Sequence, residues 1–392
     1  MSTHWRLSAW YFFYFAFIGT FAPYFTLYLQ SLGFSAWEIG ILMSASPVMR
    51  AIAPAFWGWL SDRSGRRVPI VFFSALATAF AFSAFFVAKG FWEVLAGIGL
   101  TFFFWTAAHP LVEALTLDHL RDRTGEYGRI RLWGSVGFVV AVMGVGMLLD
   151  AMPLVAVLWV CLGMLAGIAA CAGSLHEAQT HAPARPAPSL RSGLRRPEVV
   201  ALMAACFFMS AAHGPLYVFY SIHLVDHGYG KTLVGALWSL GVIAEILVFL
   251  FLPRLMRWYS VRGILLASFA LAVLRFLLIG WEADSLVLLL LAQVMHGATF
   301  GAYHAAAVTA LNRWFPSQQQ GRVQAIYGAV SFGAGGLLGN LFSGEAWGSV
   351  GAGWTYTIGA AFALVGCLLV WRGFPAGRLA ELCDNPSSPS GN

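Results

Sequence analysis

Gly58-Trp59-Leu60-Ser61-Asp62-Arg63-Ser64-Gly65-Arg66-Arg67 lies between two apolar runs, at 36–60 and 68–88. Two glycines, one acid and three arginines crowd a short polar turn there. Glycine lets backbones approach closely and turn sharply. Asp62 can meet a helix N-terminus or an arginine, and the cluster of Arg63, Arg66 and Arg67 holds its face on the cytoplasmic side of a membrane. The stretch therefore reads as a hinge between two membrane spans.

The rest of the chain has the same character. Of 392 residues 59% are hydrophobic and 10% charged, more apolar surface than a soluble domain can hide. Apolar runs of spanning length recur at 8–30, 36–61, 68–88, 92–116, 130–150, 153–173, 199–224, 232–252, 260–281, 285–311, 322–343 and 352–373. This gives an all-α membrane protein with twelve transmembrane helices, since in lipid each span must close its own backbone hydrogen bonds. Of the 23 Lys and Arg, Arg50 and Arg275 lie inside spans, and Lys89 and Lys231 in odd-numbered connections. The others occupy the tails and even-numbered loops, which puts both termini in the cytoplasm. The net charge of +6 belongs to this anchoring, so a nucleic-acid partner is not expected. No cleavage pattern precedes the first span, which is read as retained. The five cysteines form no C-x-x-C and read as packing residues.

The longest polar break, at 174–198, is rich in proline and arginine and reads as a cytoplasmic linker. It separates one six-helix bundle at 1–173 from another at 199–373, with a flexible tail at 374–392. Aligning the halves at an offset of 195 matches Gly19 with Gly214, Gly33 with Gly228, and Gly40 with Gly235. The same offset places Phe34 on Tyr229, His109 on His304, and Arg50 on Glu245. Clustered matches at one offset point to a duplicated bundle, the plan of a transporter that alternates access to a midplane site.

A charge at the bilayer centre costs about 2.5–3.5 kcal/mol on insertion scales, so each one needs a reason. Arg50, Glu113, Glu245 and Arg275 lie inside spans, and Arg131 lies near the start of the fifth. Counted at about 1.5 Å per residue, Glu245 and His296 agree in depth within roughly 3 Å and are expected to pair, with Arg275 adjusting them from above. Burial opposes ionisation of a carboxylate and a nearby cation favours it, a balance suited to a group that takes up and releases a proton. Glu113 and Arg131 also share a depth and can pair. Arg50 lies about 18 Å from Asp62 along its helix and has no obvious acidic partner. It could snorkel, pair with Glu245 across the pseudo-twofold, or hold the carboxylate of an anionic substrate. Tyr24, Tyr28, Trp105, Tyr217, Phe219, Tyr220 and Tyr303 are the expected aromatic lining, which favours a small aromatic or hydrophobic acid.

The Gly58–Arg67 stretch resembles the loop signature of the major facilitator superfamily. Pro110-Leu111-Val112-Glu113-Ala114 and Glu126-Tyr127-Gly128-Arg129-Ile130-Arg131-Leu132-Trp133-Gly134 resemble the fourth and fifth spans of the lactose permease branch and its oligosaccharide and nucleoside relatives. That resemblance implies substrate-binding roles for Glu113 and Arg131. It implies substrate or proton-coupling roles for Glu245 and His296, and equates Arg275 with a family arginine of the ninth span. It also implies that His109 and His304 line the cavity, and that the chain works as a monomer. Gln293 and Thr299 stand where lactose permease has a lysine and a proton-carrying glutamate. The acidic pair of the seventh span is missing too, with His213 nearby. Proton coupling must then use other groups, Glu245 first. The overall pattern resembles the phenylpropionate permease branch.

The expectation is a proton-coupled symporter in an inner membrane, importing a phenylpropionate-like acid. It is driven by a proton gradient, with no cofactor and no metal. A nucleoside or oligosaccharide symporter, or an exporter of the same fold, is the alternative. The sequence holds no H-E-x-x-H, G-x-S-x-G or P-loop, which argues against an enzyme or an ATP-driven pump.

Overall fold

The computed structural model describes residues 3–120, 123–178 and 190–374. Most of the linker and tail regions, with residues 121–122, fall outside them. Among the described residues, twelve helices are long and apolar enough to span a bilayer. They are α1 (Thr3–Ser31), α2 (Ala36–Ser64), α3 (Val68–Phe86), α4 (Phe91–Leu120), α5 (Tyr127–Ala151) and α6 (Ala156–Gly173), then α7 (Pro197–Asp226), α8 (Lys231–Trp258), α9 (Val261–Trp281), α10 (Leu286–Trp314), α11 (Ser317–Ser349) and α12 (Gly351–Gly373). A four-residue helix, Arg191–Leu194, precedes α7.

The hinge is shorter than its sequence indicates. Gly58 to Ser64 continue α2, and Gly65 ends the helix in a left-handed conformation at φ 65°. Only Gly65–Arg67 forms the turn. A Cβ at Gly58 would meet nothing, so no close approach uses that glycine here. Among the described residues Asp62 has no ionic partner. Arg67 instead pairs with Asp118 of α4, and Arg63 lies over the Trp59 ring.

Packing follows the duplicated pattern. Within the first six helices, α1 packs on α5 and α6, while α3 packs on α4 and α6; within the second six, α12 packs on α7 and α9. The glycines matched at the offset occupy equivalent contacts. Gly19 abuts Phe138 of α5, and Gly214 abuts Gly339 of α11. Gly40 of α2 abuts Gly344 of α11, and Gly235 of α8 abuts Val142 of α5. Gly33 and Gly228 both turn at positive φ, 89° and 83°. A β-carbon at Gly40 would come within 2.7 Å of the Gly344 Cα, so these faces accept only glycine.

With an even number of spans, both ends of the described chain lie on one face, called here the terminal face. Among the described residues, the hydrogen bonds joining the two sixes lie in the opposite half. Asp150 at the end of α5 accepts from the backbone N–H of Lys231 and Thr232 at 2.7 and 3.0 Å, and from the Thr232 hydroxyl at 2.6 Å. Asn340 donates to the Met43 carbonyl at 3.0 Å. The terminal halves of α10 and α11 pack within their own group. A cleft between the sixes therefore opens toward the terminal face and is sealed at the other.

Candidate functional site

Three helices break their regular hydrogen bonding beside the cleft. α7 is interrupted at His213, just before Gly214-Pro215. α10 passes through a π-helical segment at Gly297–Ala302, and α11 through another at Ala329–Gly335. Such π segments shift the register of the residues beyond them and favour functional positions.

On α1 and α4, Trp10, Tyr14 and Trp105 form a stack with centroids 4.8 and 4.4 Å apart. Spacing of four residues puts Trp10 and Tyr14 on one face of α1. The His109 ring lies 5.2 Å from Tyr14, and its Nε2 is buried without a hydrogen-bond partner. Arg50 reaches this wall from α2. Its side chain is exposed, lies within electrostatic reach of Tyr14, His109 and Tyr217, and has no acid within 4.0 Å among the described residues.

The Glu113–Arg131 pair is not formed. Glu113 accepts a hydrogen bond from the Tyr127 hydroxyl at 2.7 Å, with His109 Nδ1 3.9 Å away. The Arg131 guanidinium instead lies 3.9 Å from the Phe15 ring centroid, over its face, and 5.7 Å from that of Tyr11. A shared depth fixes the level of two side chains but not their direction around each helix, and aromatic faces attract a guanidinium.

Across the cleft Glu245 Oε2 lies 4.0 Å from His296 Nε2. Arg131 of the opposite six lies within electrostatic reach of Glu245. Arg275 makes no hydrogen bond to the pair, though its charge lies within electrostatic reach of His296. It is fully buried and donates to the Ala292 carbonyl at 2.8 Å, Thr299 Oγ1 at 3.2 Å and Gln293 Oε1 at 3.3 Å. His296, Phe300 and His304 stack along α10, with centroids 5.3 and 6.3 Å apart. His304 Nδ1 bonds the Tyr327 hydroxyl at 2.9 Å. Tyr217 stacks on His213 at 5.9 Å and faces the same space.

Three tyrosines expected in the lining stand apart from it. Tyr24 is buried and donates to the Val142 carbonyl at 2.7 Å, sealing the closed half. Tyr28 donates to the Phe85 carbonyl at 3.2 Å, and Tyr303 to the Cys206 carbonyl at 3.4 Å. Each hydroxyl serves a carbonyl that helix packing brings to it. Trp10, Phe15 and Tyr127 of the first six join the site without having been singled out by sequence. Of these, only the Trp10/Tyr14 spacing carries a readable signal.

Two six-helix groups around a cleft with charged, aromatic walls define a membrane transporter of small molecules. The chain belongs to the major facilitator superfamily, with residues 4–358 matching the family described as MFS_1 like family. It is 31% identical over 355 residues to the "Probable 3-phenylpropionic acid transporter" of Escherichia coli (strain K12), covering 88% of this chain and 90% of that protein. It is 28% identical to a maltose permease of Geobacillus stearothermophilus, covering 92% of each. Among solved structures, a point mutant of the nucleoside transporter NupG superposes with a TM-score of 0.85 at 16% identity, covering 95% of this chain and 100% of that one. That likeness supports the fold alone. The chain is thus a multi-pass secondary transporter and not an enzyme.

Proposed function

We propose that the protein imports a small aromatic or hydrophobic carboxylate together with a proton, across a bacterial inner membrane, by alternating access. The observation that carries this reading is Arg50, an exposed guanidinium on an aromatic cleft wall with no acid beside it among the described residues. Such a group matches a carboxylate in charge and in planar geometry. The stacked Trp10, Tyr14 and Trp105 rings offer a face for the apolar part of the same molecule. The relative described as a phenylpropionic acid transporter favours this class over sugars and nucleosides.

Glu245 serves as the proton-carrying group. With its carboxylate ionised, Glu245 attracts Arg131 across the cleft and competes with an incoming anion for the positive wall. Its protonation leaves Arg50 and Arg131 to the substrate, which links one proton to one anion. The arginine-bearing loops favour a cytoplasmic terminal face, and with it a cleft that opens to the cytoplasm. One chain holds both walls, so it works as a monomer with no cofactor beyond the proton gradient.

The test is a thermal-shift screen of purified protein with aromatic acids, nucleosides and disaccharides at two pH values, followed by Arg50→Ala. Aromatic acids are expected to stabilise the wild type. Arg50→Ala is expected to weaken that binding by roughly a hundredfold, the loss of about 3 kcal/mol typical of removing one partner from a desolvated charge pair. Stabilisation by nucleosides or disaccharides instead, or unchanged acid uptake in Arg50→Ala, overturns the assignment.

A further inference from the structure

Charge is uneven on the terminal face where α7, α9 and α12 have their ends. Segments 190–201, 260–262 and 369–374 carry five arginines and one acid, Glu198. Arg372, in the last turn of α12, is exposed and makes no ion pair among the described residues. Arg262 of α9 donates to the Trp371 carbonyl at 2.7 Å, so the negative end of α12 already has a cation. The Arg372 guanidinium is left without a partner in the fold.

A groove runs from it toward the middle of the membrane. Val365, Leu368, Leu369 and Arg372 recur at helical spacing on one face of α12. With Ala201 and Gly373 they line a space of about 400 Å³ between α12 and α7. The helices touch beside Arg372, where a β-carbon on Gly373 would come within 2.3 Å of the Ala201 Cβ. From Arg372 to Val365 the groove is about 10 Å long, at about 1.5 Å per residue. Arg372 carries the one polar side chain of this lining. Trp371, Trp258 and Tyr259 are exposed at the terminal-face ends of α12 and α8, as aromatic residues are at a membrane surface. They put Arg372 at the level of lipid headgroups and the apolar groove among the acyl chains.

We propose that this groove holds one anionic phospholipid, its phosphate on Arg372 and an acyl chain along Val365, Leu368 and Leu369. A zwitterionic lipid offers the same chain but carries its own cation beside the phosphate. An anionic one answers the excess of arginine, and basic sites between spans select such headgroups. The lipid would tie α7 to α12 within the second six and move with that group. It lies outside the cleft and shares no residue with the Arg50 wall.

The experiment uses purified, delipidated full-length protein in detergent, without substrate. Dioleoylphosphatidylglycerol, dioleoylphosphatidylcholine and glycerol 3-phosphate are titrated separately, and the melting temperature is followed by tryptophan fluorescence. Binding to the folded state predicts a saturable rise with phosphatidylglycerol and none with the other two at the same concentrations. Arg372→Gln is expected to move the midpoint to about fivefold higher lipid, as for loss of one arginine from an anionic membrane surface. Leu368→Trp, which fills the groove from an exposed position, is expected to shift it in the same direction. Arg254→Gln, on the end of α8 and outside the groove, is expected to keep the wild-type midpoint. No rise with phosphatidylglycerol, an equal rise with phosphatidylcholine, or a rise with glycerol 3-phosphate alone overturns the proposal. So does a shift in Arg254→Gln as large as in Arg372→Gln, or a midpoint unchanged in both groove variants. If neither groove variant folds, native mass spectrometry of the wild type decides. Preferential retention of phosphatidylglycerol from an equimolar mixture with phosphatidylcholine supports the site, and equal retention overturns it. None of these outcomes depends on the Arg50 reading.

Discussion

Glu245 lies half a helix from either end of α8, between His296 of its own six and the charge of Arg131 on the other. If its protonation couples the gradient to the substrate, Glu245→Gln fixes the neutral state. Proteoliposomes carrying this variant are expected to lose accumulation driven by an imposed proton gradient. They should retain counterflow exchange of labelled substrate, which needs binding but no net proton movement. Gradient-driven accumulation by the variant would assign coupling to another group. The closeness of Glu245 to His296 follows from counting turns, because both helices cross the midplane with few interruptions before those residues. The same counting misplaces Glu113, whose carboxylate turns to Tyr127, and Arg131, which turns to Phe15. Depth along a helix is written in residue number. Azimuth depends on the rotation of each helix against its neighbours, which a single sequence does not state.

Elements are more legible in the chain than contacts. A run of about 20 apolar residues is a local property, and all twelve runs form helices. The π segments of α10 and α11 leave no such mark, since a widened turn depends on packing rather than on a residue pattern. The cap on α8 is equally hidden, because its acid comes from α5. Asp150 binds two backbone N–H groups and one hydroxyl at the α8 N-terminus, where the helix dipole adds attraction for an anion. Asp150→Ala removes three hydrogen bonds that join the sixes and is expected to loosen the seal. Ser46→Cys supplies a reporter, as this buried residue lies one turn below the Met43–Asn340 contact. In right-side-out vesicles an impermeant maleimide is expected to label that cysteine several-fold faster when Asp150 is also Ala. An unchanged rate would show that the glycine contacts hold the closed half without the cap.

At the scale of the whole molecule, the sixes touch most extensively through two pseudo-equivalent crossings, α2 on α11 and α5 on α8, with α1 packing on α7 between them. Gly40 and Gly344 form the first, and Gly235 and Val142 the second. Glycine brings the backbones close at both crossings, with the Tyr24 hydroxyl bridging Val142 and Lys231 at the second, so either can act as a pivot when the sixes rock. Rocking must then part Asp150 from Thr232, because these residues lie beyond the pivots at the sealed end. Their side chains meet at 2.6 Å, which makes these positions the choice for a pair of bridging cysteines. Oxidised Asp150→Cys/Thr232→Cys protein is expected to lose uptake almost completely while still binding substrate from the open side. Reduction with dithiothreitol is expected to restore transport to the level of the reduced double variant. The two effects of this region have opposite signs: removing the cap frees the closed end, and a covalent link holds it shut. Full transport in the oxidised, demonstrably bridged protein would mean that the cleft empties without parting α5 from α8, and rigid rocking of the sixes would have to be abandoned.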